Sequence, residues 1–249
     1  MLLENHRHQK WHSRIPTNEQ YQRFRNILDI HNLTRGWLTE IETSLNRQTY
    51  LLPRVKVPGV EENLWMLEKL SETYAASNLD QLLDESQPNE LLDRLERTVW
   101  VTQSWTFQEI MGKTPEAETD AMLGLLEQSS WKSGRKSAAG RWPDLTKSSR
   151  ENLRSILATF LQTHISASTL QDSLLIRRAT PELCEFELLN CPHQSPFAEI
   201  KKAADSLCLQ HYHWLKGFAY QLNTTVRSEY QPTQGSRRCQ QHWSLPGAP

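Results

Sequence analysis

All four cysteines of the chain, Cys184, Cys191, Cys208 and Cys239, fall within its last 66 residues, with His211 and His213 among them. Thiolates and imidazoles are the ligands that zinc, iron and copper take up. On a helix Cys208 and His211, three residues apart, share one face, while His213 points elsewhere. If the hairpin carrying Gly235 folds back over that helix, Cys191 and Cys239 converge on the pair. Cys191, Cys208, His211 and Cys239 would then form a tetrahedral set for zinc, or a soft set for iron. The intervals of 17 and 31 residues between the cysteines are wider than those of a compact metal knuckle. The same residues permit thiol chemistry, in which Cys208 or Cys191 attacks an electrophilic carbon, His211 moves protons and Glu229 orients or acts as base. Buried thiols also serve simply as small apolar residues. Core, metal and catalytic readings therefore stand side by side.

Each reading depends on elements that must place these residues. Leu183 to Leu188 reads as a strand ending at Asn190-Cys191-Pro192. With Leu174-Leu175-Ile176-Arg177-Arg178 and a turn at Thr180-Pro181 it predicts a β-hairpin with Phe186 inward. Cys184 shares that face by the alternation of a strand and reads as core. Pro196 to Leu222 predicts a helix, Thr224 to Tyr230 a strand, and the turn at Gly235 leads to a strand holding Cys239. Tyr212, Trp214, Phe218 and Tyr220 on the helix read as packing, and also as the aromatic wall a planar ring would want.

Everything upstream has helical periodicity. Thr17-Asn18-Glu19-Gln20 has the form of a capping box, and Tyr21, Phe24, Leu28 and Ile30 follow. Gly36 predicts a break, after which Trp37, Leu38, Ile41 and Leu45 give a second stripe. Leu51 to Gly59, with Pro53 and Pro58, reads as an extended connector. Helices are predicted over Asn63 to Leu83, Asn89 to Met111, 115 to 131 with Thr114 as cap, and Lys147 to Thr163. Trp131 to Asp144, rich in Gly, Lys and Arg, predicts a solvated connection in which Lys132, Arg135, Lys136 and Arg141 could receive an anion.

Cys191, Cys208 followed by Gly217-Phe218, then Glu229 and Gly235-Ser236-Arg237-Arg238-Cys239 form a pattern that resembles two bacterial families. One is the L-2-amino-thiazoline-4-carboxylic acid hydrolase family, the other the 4-vinyl reductase domain. The helical run from Thr114 through Trp131 to Gly140 is similar to the helices before the sheet in the hydrolase family, so the resemblance covers roughly residues 93 to 249. His211 and Gln240 depart from the family pattern. The resemblance implies an α+β fold: N-terminal helices followed by a small antiparallel sheet packed on a long helix, as in the 4-vinyl reductase domain. It implies a helical extension over residues 1–92 and a hydrolase-like domain over 93–249. It also implies hydrolysis of a cyclic amidine C–N bond in a small heterocyclic or amino-acid-derived substrate, with Cys208, His211 and Glu229 catalytic. Arg177, Arg178, Arg237 or Arg238 could then hold a substrate carboxylate. The other two readings are a module that binds a small ligand or a metal without catalysis, and an accessory subunit whose N-terminal helices dock a protein partner or a second copy.

Composition bounds these readings. The chain of 249 residues, 37% hydrophobic and 23% charged, suits a globular protein with a substantial core. A formal net charge of −1 gives no global field for nucleic acid or an anionic membrane. No stretch approaches the apolar length of a membrane-spanning helix, and Met1 to His6 lacks a signal peptide's apolar core. A cytoplasmic protein with reduced thiols or metal-bound cysteines is expected. His6, His8 and His12 read as part of a solvated start.

Overall fold

The structure is a computed structural model that describes residues 18–45, 88–139, 151–164, 174–188, 204–232 and 239–248. Its elements run α1 (Asn18–Leu45), α2 (Pro88–Lys113), a short 3-10 turn (Glu116–Glu118), α3 (Thr119–Ala139) and α4 (Leu153–His164). β1 (Leu174–Ala179), β2 (Leu183–Leu188), α5 (Ala204–Leu222), β3 (Arg227–Pro232) and β4 (Cys239–Ser244) follow. A mostly helical chain with a small antiparallel sheet at its end is an α+β protein, as the sequence leads one to expect.

The sheet has the order β1-β2-β4-β3, with every neighbouring pair antiparallel. The predicted hairpin is present, and Thr180 closes its turn by accepting an amide hydrogen bond from Leu183. The register sets Cys184 opposite Trp243 and Phe186 opposite Gln241, so these side chains share one face. On that face Phe160 of α4 meets Phe186, Phe218 of α5 and Trp243 at 5.8–6.3 Å between ring centres. Phe186 and Trp243 meet edge to face at 5.2 Å, an arrangement that aromatic quadrupoles favour. Helix α5 is fixed to β3 by Tyr212, which stacks on Tyr230 and donates its hydroxyl to the carbonyl of Ser228 at 2.7 Å.

The helices form the second layer. Gln20 bonds Asn89, Arg23 bonds Glu96, and Trp37 meets Phe107, so α1 and α2 run parallel with a near-constant offset. Asp29 accepts from Ser137, Trp37 donates to Ser130, and Glu40 pairs with Lys132, so α1 and α3 run antiparallel. Leu33, Trp37 and Ile41 belong to one buried cluster with Phe107, Leu126, Phe186, Trp214 and Trp243. The helix Pro88–Lys113 runs across residue 92, and α1 contributes to the same core as the sheet.

Two glycine expectations are corrected. Gly36 does not end α1, which continues to Leu45; the missing side chain admits Ser129, whose hydroxyl would lie 3.1 Å from a Cβ there. The basic stretch after Trp131 is not a loop up to Ala139, because α3 continues through it. Gly134 sits where α3 crosses α5, and a Cβ on it would lie 2.8 Å from the Trp214 carbonyl carbon and nearer still to its oxygen. Gly217 is the reciprocal position, with the backbone of Trp131 at 2.9 Å from its would-be Cβ. Two backbones touch there because both residues lack a side chain. The predicted segments Asn63 to Leu83, Leu51 to Gly59 and 196 to 203 lie outside the described residues, as do Thr17, Arg141 and the turn at Gly235.

Candidate functional site

Helix α5 carries two of the candidate residues. Cys208 is half-buried, and His211, three residues on, lies on the same side of the helix. The His211 Nε2 is 2.8 Å from Oε1 of Gln103 on α2, and its ring lies 5.4 Å from that of Trp100. With a carbonyl oxygen as partner, Nε2 carries the hydrogen. Desolvation pushes the imidazole pKa down to about 4, so His211 is neutral near pH 7. A neutral imidazole supplies no charge to hold a thiolate at Cys208, and so low a pKa makes it a weak base. His213 points to Glu127 of α3, at 3.5 Å.

Glu229 is not brought to this pair. It alternates with Tyr230, which faces α5, so Glu229 lies on the opposite face of the sheet. There it stands level with His242 and Glu185 in a row across three strands, and His242 Nδ1 is 3.3 Å from Glu185. Cys239 opens β4 opposite Leu188 and Pro232. Cys191 lies outside the described residues. Among the described residues no group of three His, Cys, Asp or Glu is placed to hold a metal ion, so the expected zinc or iron set is seen only as the pair Cys208 and His211.

Cys184 takes the core role. It is fully buried, and burial pushes its thiol up to about 11 against smaller pulls from the Thr180 backbone and Arg154. Alkylation of the native protein at pH 8 is expected to leave Cys184 unmodified until denaturant is added while Cys208 reacts. Peptide mapping that finds Cys184 labelled as fast as Cys208 would contradict this. Three of the candidate basic residues are engaged locally. Lys132 pairs with Glu40, Arg135 donates to Gln221 and lies over the rings of Trp131 and Tyr220, and Arg177 pairs with Glu187.

What the sequence reading missed is a ring of contacts at one level of the helical layer. Trp37 Nε1 donates to Ser130 Oγ at 2.8 Å, and Ser130 donates to Gln210 Oε1 at 3.0 Å. Gln210 precedes His211, which meets Gln103 of α2; one turn further along α2 is Phe107, whose ring lies 6.0 Å from that of Trp37. Four helices are thus joined in a closed circuit through α1, α3, α5 and α2. Gln103 and Gln210 are fully buried with their oxygens engaged. Among the described residues neither side-chain nitrogen has a hydrogen-bond partner, nor do the buried hydroxyls of Thr102 and Thr106 beside Gln103. Buried polar atoms are nearly always partnered, and the described residues hold others in the same state elsewhere, among them Asn26 Oδ1, His31 Nε2, Ser228 Oγ and Trp243 Nε1. The signal was present in the sequence. Gln103 falls in the apolar stripe Val99, Phe107, Ile110 and Gln210 in the stripe Leu207, Trp214, Phe218, where polar side chains are costly.

Comparison with protein-family models, with curated proteins and with solved structures finds no match to this chain. The resemblance to the thiazoline-carboxylate hydrolases and the 4-vinyl reductase domain rests on the spacing of its cysteines and glycines.

Proposed function

We propose that this chain is a small-molecule-binding protein, akin to the 4-vinyl reductase domain in fold, whose ligand enters the helical layer beside Cys208 and His211. The observation that carries the reading is the pair of buried glutamine amides, Gln103 and Gln210, whose nitrogens have no acceptor among the described residues. Leaving such groups unpaired costs about 1–3 kcal/mol each, a penalty a ligand would relieve. A half-buried free thiol at Cys208 suits a reducing, cytoplasmic setting. On α1, Phe24, Ile27, Leu33, Trp37 and Ile41 are buried. Trp105, Leu175, Ile176 and Tyr220 are the large apolar side chains exposed among the described residues, which supports a ligand more than a partner docked on α1. No helix among the described residues is long and apolar enough to cross a membrane.

A ligand-detected NMR screen of small polar fragments, run on the native protein and on Cys208→Trp, tests the reading. Fragments that bind the native chain and are excluded by the added indole are expected. An absence of hits, or equal binding by the variant, would sink it. Hydrolysis of a cyclic amidine by Cys208 is the second reading, favoured by the face that Cys208 shares with His211. Ring opening of 2-amino-thiazoline-4-carboxylate that disappears in Cys208→Ala would establish it, and turnover unchanged in that variant would dismiss Cys208 as nucleophile.

A further inference from the structure

Arg135 of α3 is held differently from Arg23 and Arg177. Arg23 donates to Asp93 and Glu96, and Arg177 donates to Glu187, so each ends on a carboxylate. Arg135 ends on a neutral acceptor, its Nε donating to Oε1 of Gln221 on α5 at 2.9 Å. Its guanidinium carbon lies 4.8 Å from the ring centre of Trp131 and 5.7 Å from that of Tyr220. The two rings meet at 5.4 Å and are tilted by 51°. They meet because Gly134 and Gly217 let α3 and α5 touch, which brings Trp131 of one helix against Tyr220 of the other. Cation–π attraction and the Gln221 bond thus fix the plane of a charged group that no carboxylate neutralises among the described residues.

The parts left over define a ligand. With Nε engaged, the outer edge of the guanidinium, Nη1 and Nη2, has no acceptor among the described residues. Two parallel N–H donors at that edge match the two oxygens of a carboxylate, and a fork already held in plane loses little freedom on binding. The nearby acids are turned to other partners, Glu40 to Lys132 and Glu127 to His213 at 3.5 Å. Lys216, one turn before Tyr220 on α5, is exposed and adds a second cation to the same rim. Both helices end close by, at Ala139 and Leu222, where aligned peptide dipoles carry partial negative charge. A doubly charged phosphate meets more of that repulsion than a singly charged carboxylate does. The exposed part of Tyr220 offers apolar surface next to the charge.

We infer that Arg135, held by Trp131, Tyr220 and Gln221, is a surface receptor for one carboxylate group borne on an apolar body. The carboxylate belongs either to a small organic acid or to an acidic side chain that stands beside an apolar one. Both of its oxygens take the Nη edge of Arg135, and the apolar body lies along the exposed part of Tyr220. Gln221 stands roughly 20 Å along α5 from Cys208, so this is a second site, and it does not depend on the ligand proposed above for the helical layer.

Benzoate, benzamide and phenylphosphonate, alike in outline and different in charge, are the probes. Each is titrated at pH 7.5 into isotope-labelled protein while the Trp131 indole N–H and the Arg135 Nε–H signals are followed by NMR. The native chain is compared with Arg135→Gln and Arg135→Lys, and thermal melts show that the variants are folded. Benzoate is expected to move both signals, benzamide to leave them in place and phenylphosphonate to bind more weakly than benzoate. The affinity for benzoate should fall roughly tenfold or more in Arg135→Gln and several-fold in Arg135→Lys, which keeps the charge and loses the fork. Benzoate affinity retained in Arg135→Gln, benzamide binding as tightly as benzoate, or phenylphosphonate binding more tightly would each overturn the inference. So would signals that stay still at tens of millimolar benzoate, which would leave Arg135 as a brace between α3 and α5. Acetyl-Phe-Glu-amide binding more tightly than benzoate would assign the carboxylate to an acidic segment of a partner, and weaker binding would assign it to a small acid. In Cys208→Trp the benzoate affinity is expected to be unchanged; its loss there would move the carboxylate to the Cys208 site and overturn this one, whereas fragments insensitive to Cys208→Trp count against the earlier reading alone.

Discussion

Gly134→Ala is expected to destabilise the protein by about 3 kcal/mol or more, a drop of roughly 10 °C in melting temperature. The new methyl group would meet the backbone carbonyl of Trp214 and the Phe218 amide nitrogen, at 2.8 and 3.0 Å from its carbon and nitrogen atoms, and neither can turn aside as a side chain would. Relief requires α3 and α5 to move apart, and that separates the Ser130–Gln210 bond and loosens the contact between Trp214 and the core. Alanine is the better helix former by about 1 kcal/mol, so propensity alone gives the opposite sign. Gly124 on the same helix isolates that contribution. It is exposed with nothing within 4 Å of a would-be Cβ, and Gly124→Ala is expected to stabilise the fold by up to about 1 kcal/mol. Thermal melts of the two variants beside the parent decide the matter. Similar melting temperatures for Gly134→Ala and Gly124→Ala would mean that the helices do not cross in contact.

Acidification should unfold the protein between pH 6.5 and 4. Two histidines are responsible: His31 on α1, held down to about 4 by burial and the nearby Arg35, and His211 on α5, held at about the same value by burial. His213 is shifted in the same direction, by desolvation and Lys216 against an upward pull from Glu127. In the unfolded chain each returns to about 6.5 and takes up a proton across this window that the folded chain refuses. Stability is therefore full above pH 6.5, falls as pH drops, and has lost the whole contribution below pH 4. At about 1.4 kcal/mol per tenfold change, each of the two fully shifted groups accounts for roughly 3 kcal/mol, a large part of the stability of an ordinary domain. Urea titrations at successive pH values measure the slope. His31→Gln combined with His211→Gln should flatten it; an unchanged acid profile in that double variant would assign the transition to carboxylates instead.

The elements whose signals are local were legible in the sequence. Alternation over Leu183 to Leu188 gives β2, Thr180-Pro181 gives the hairpin turn, and Cys184 falls in the core because it keeps step with Phe186. Gly36 and Gly134 misled for the opposite reason. Both are punctuation by local propensity, and both are retained because another helix passes too close for a side chain, a fact that only the packed structure contains. Cys208 and His211 were legible as a pair by their spacing. Nothing local shows that His211 meets α2 and that Glu229 lies across the sheet, because strand alternation decides the second and the approach of α2 the first. Gln103 and Gln210 were overlooked because glutamine is read as a surface residue, although each interrupts an apolar stripe.

The position of β4 in the sheet also governs how the molecule can be made. β4, the last of the four described strands, lies between β2 and β3, so until residue 244 has left the ribosome β3 lacks its neighbour in this sheet and β2 is paired only with β1. Trp243, which completes the aromatic cluster with Phe160 and Phe186, arrives with that strand. The helical layer can collapse early during synthesis, yet the sheet closes only when β4 arrives, in a step that brings together strands spread over residues 174 to 244. Any nascent-chain factor that guards this protein has exposed β2 and β3 edges to cover until then.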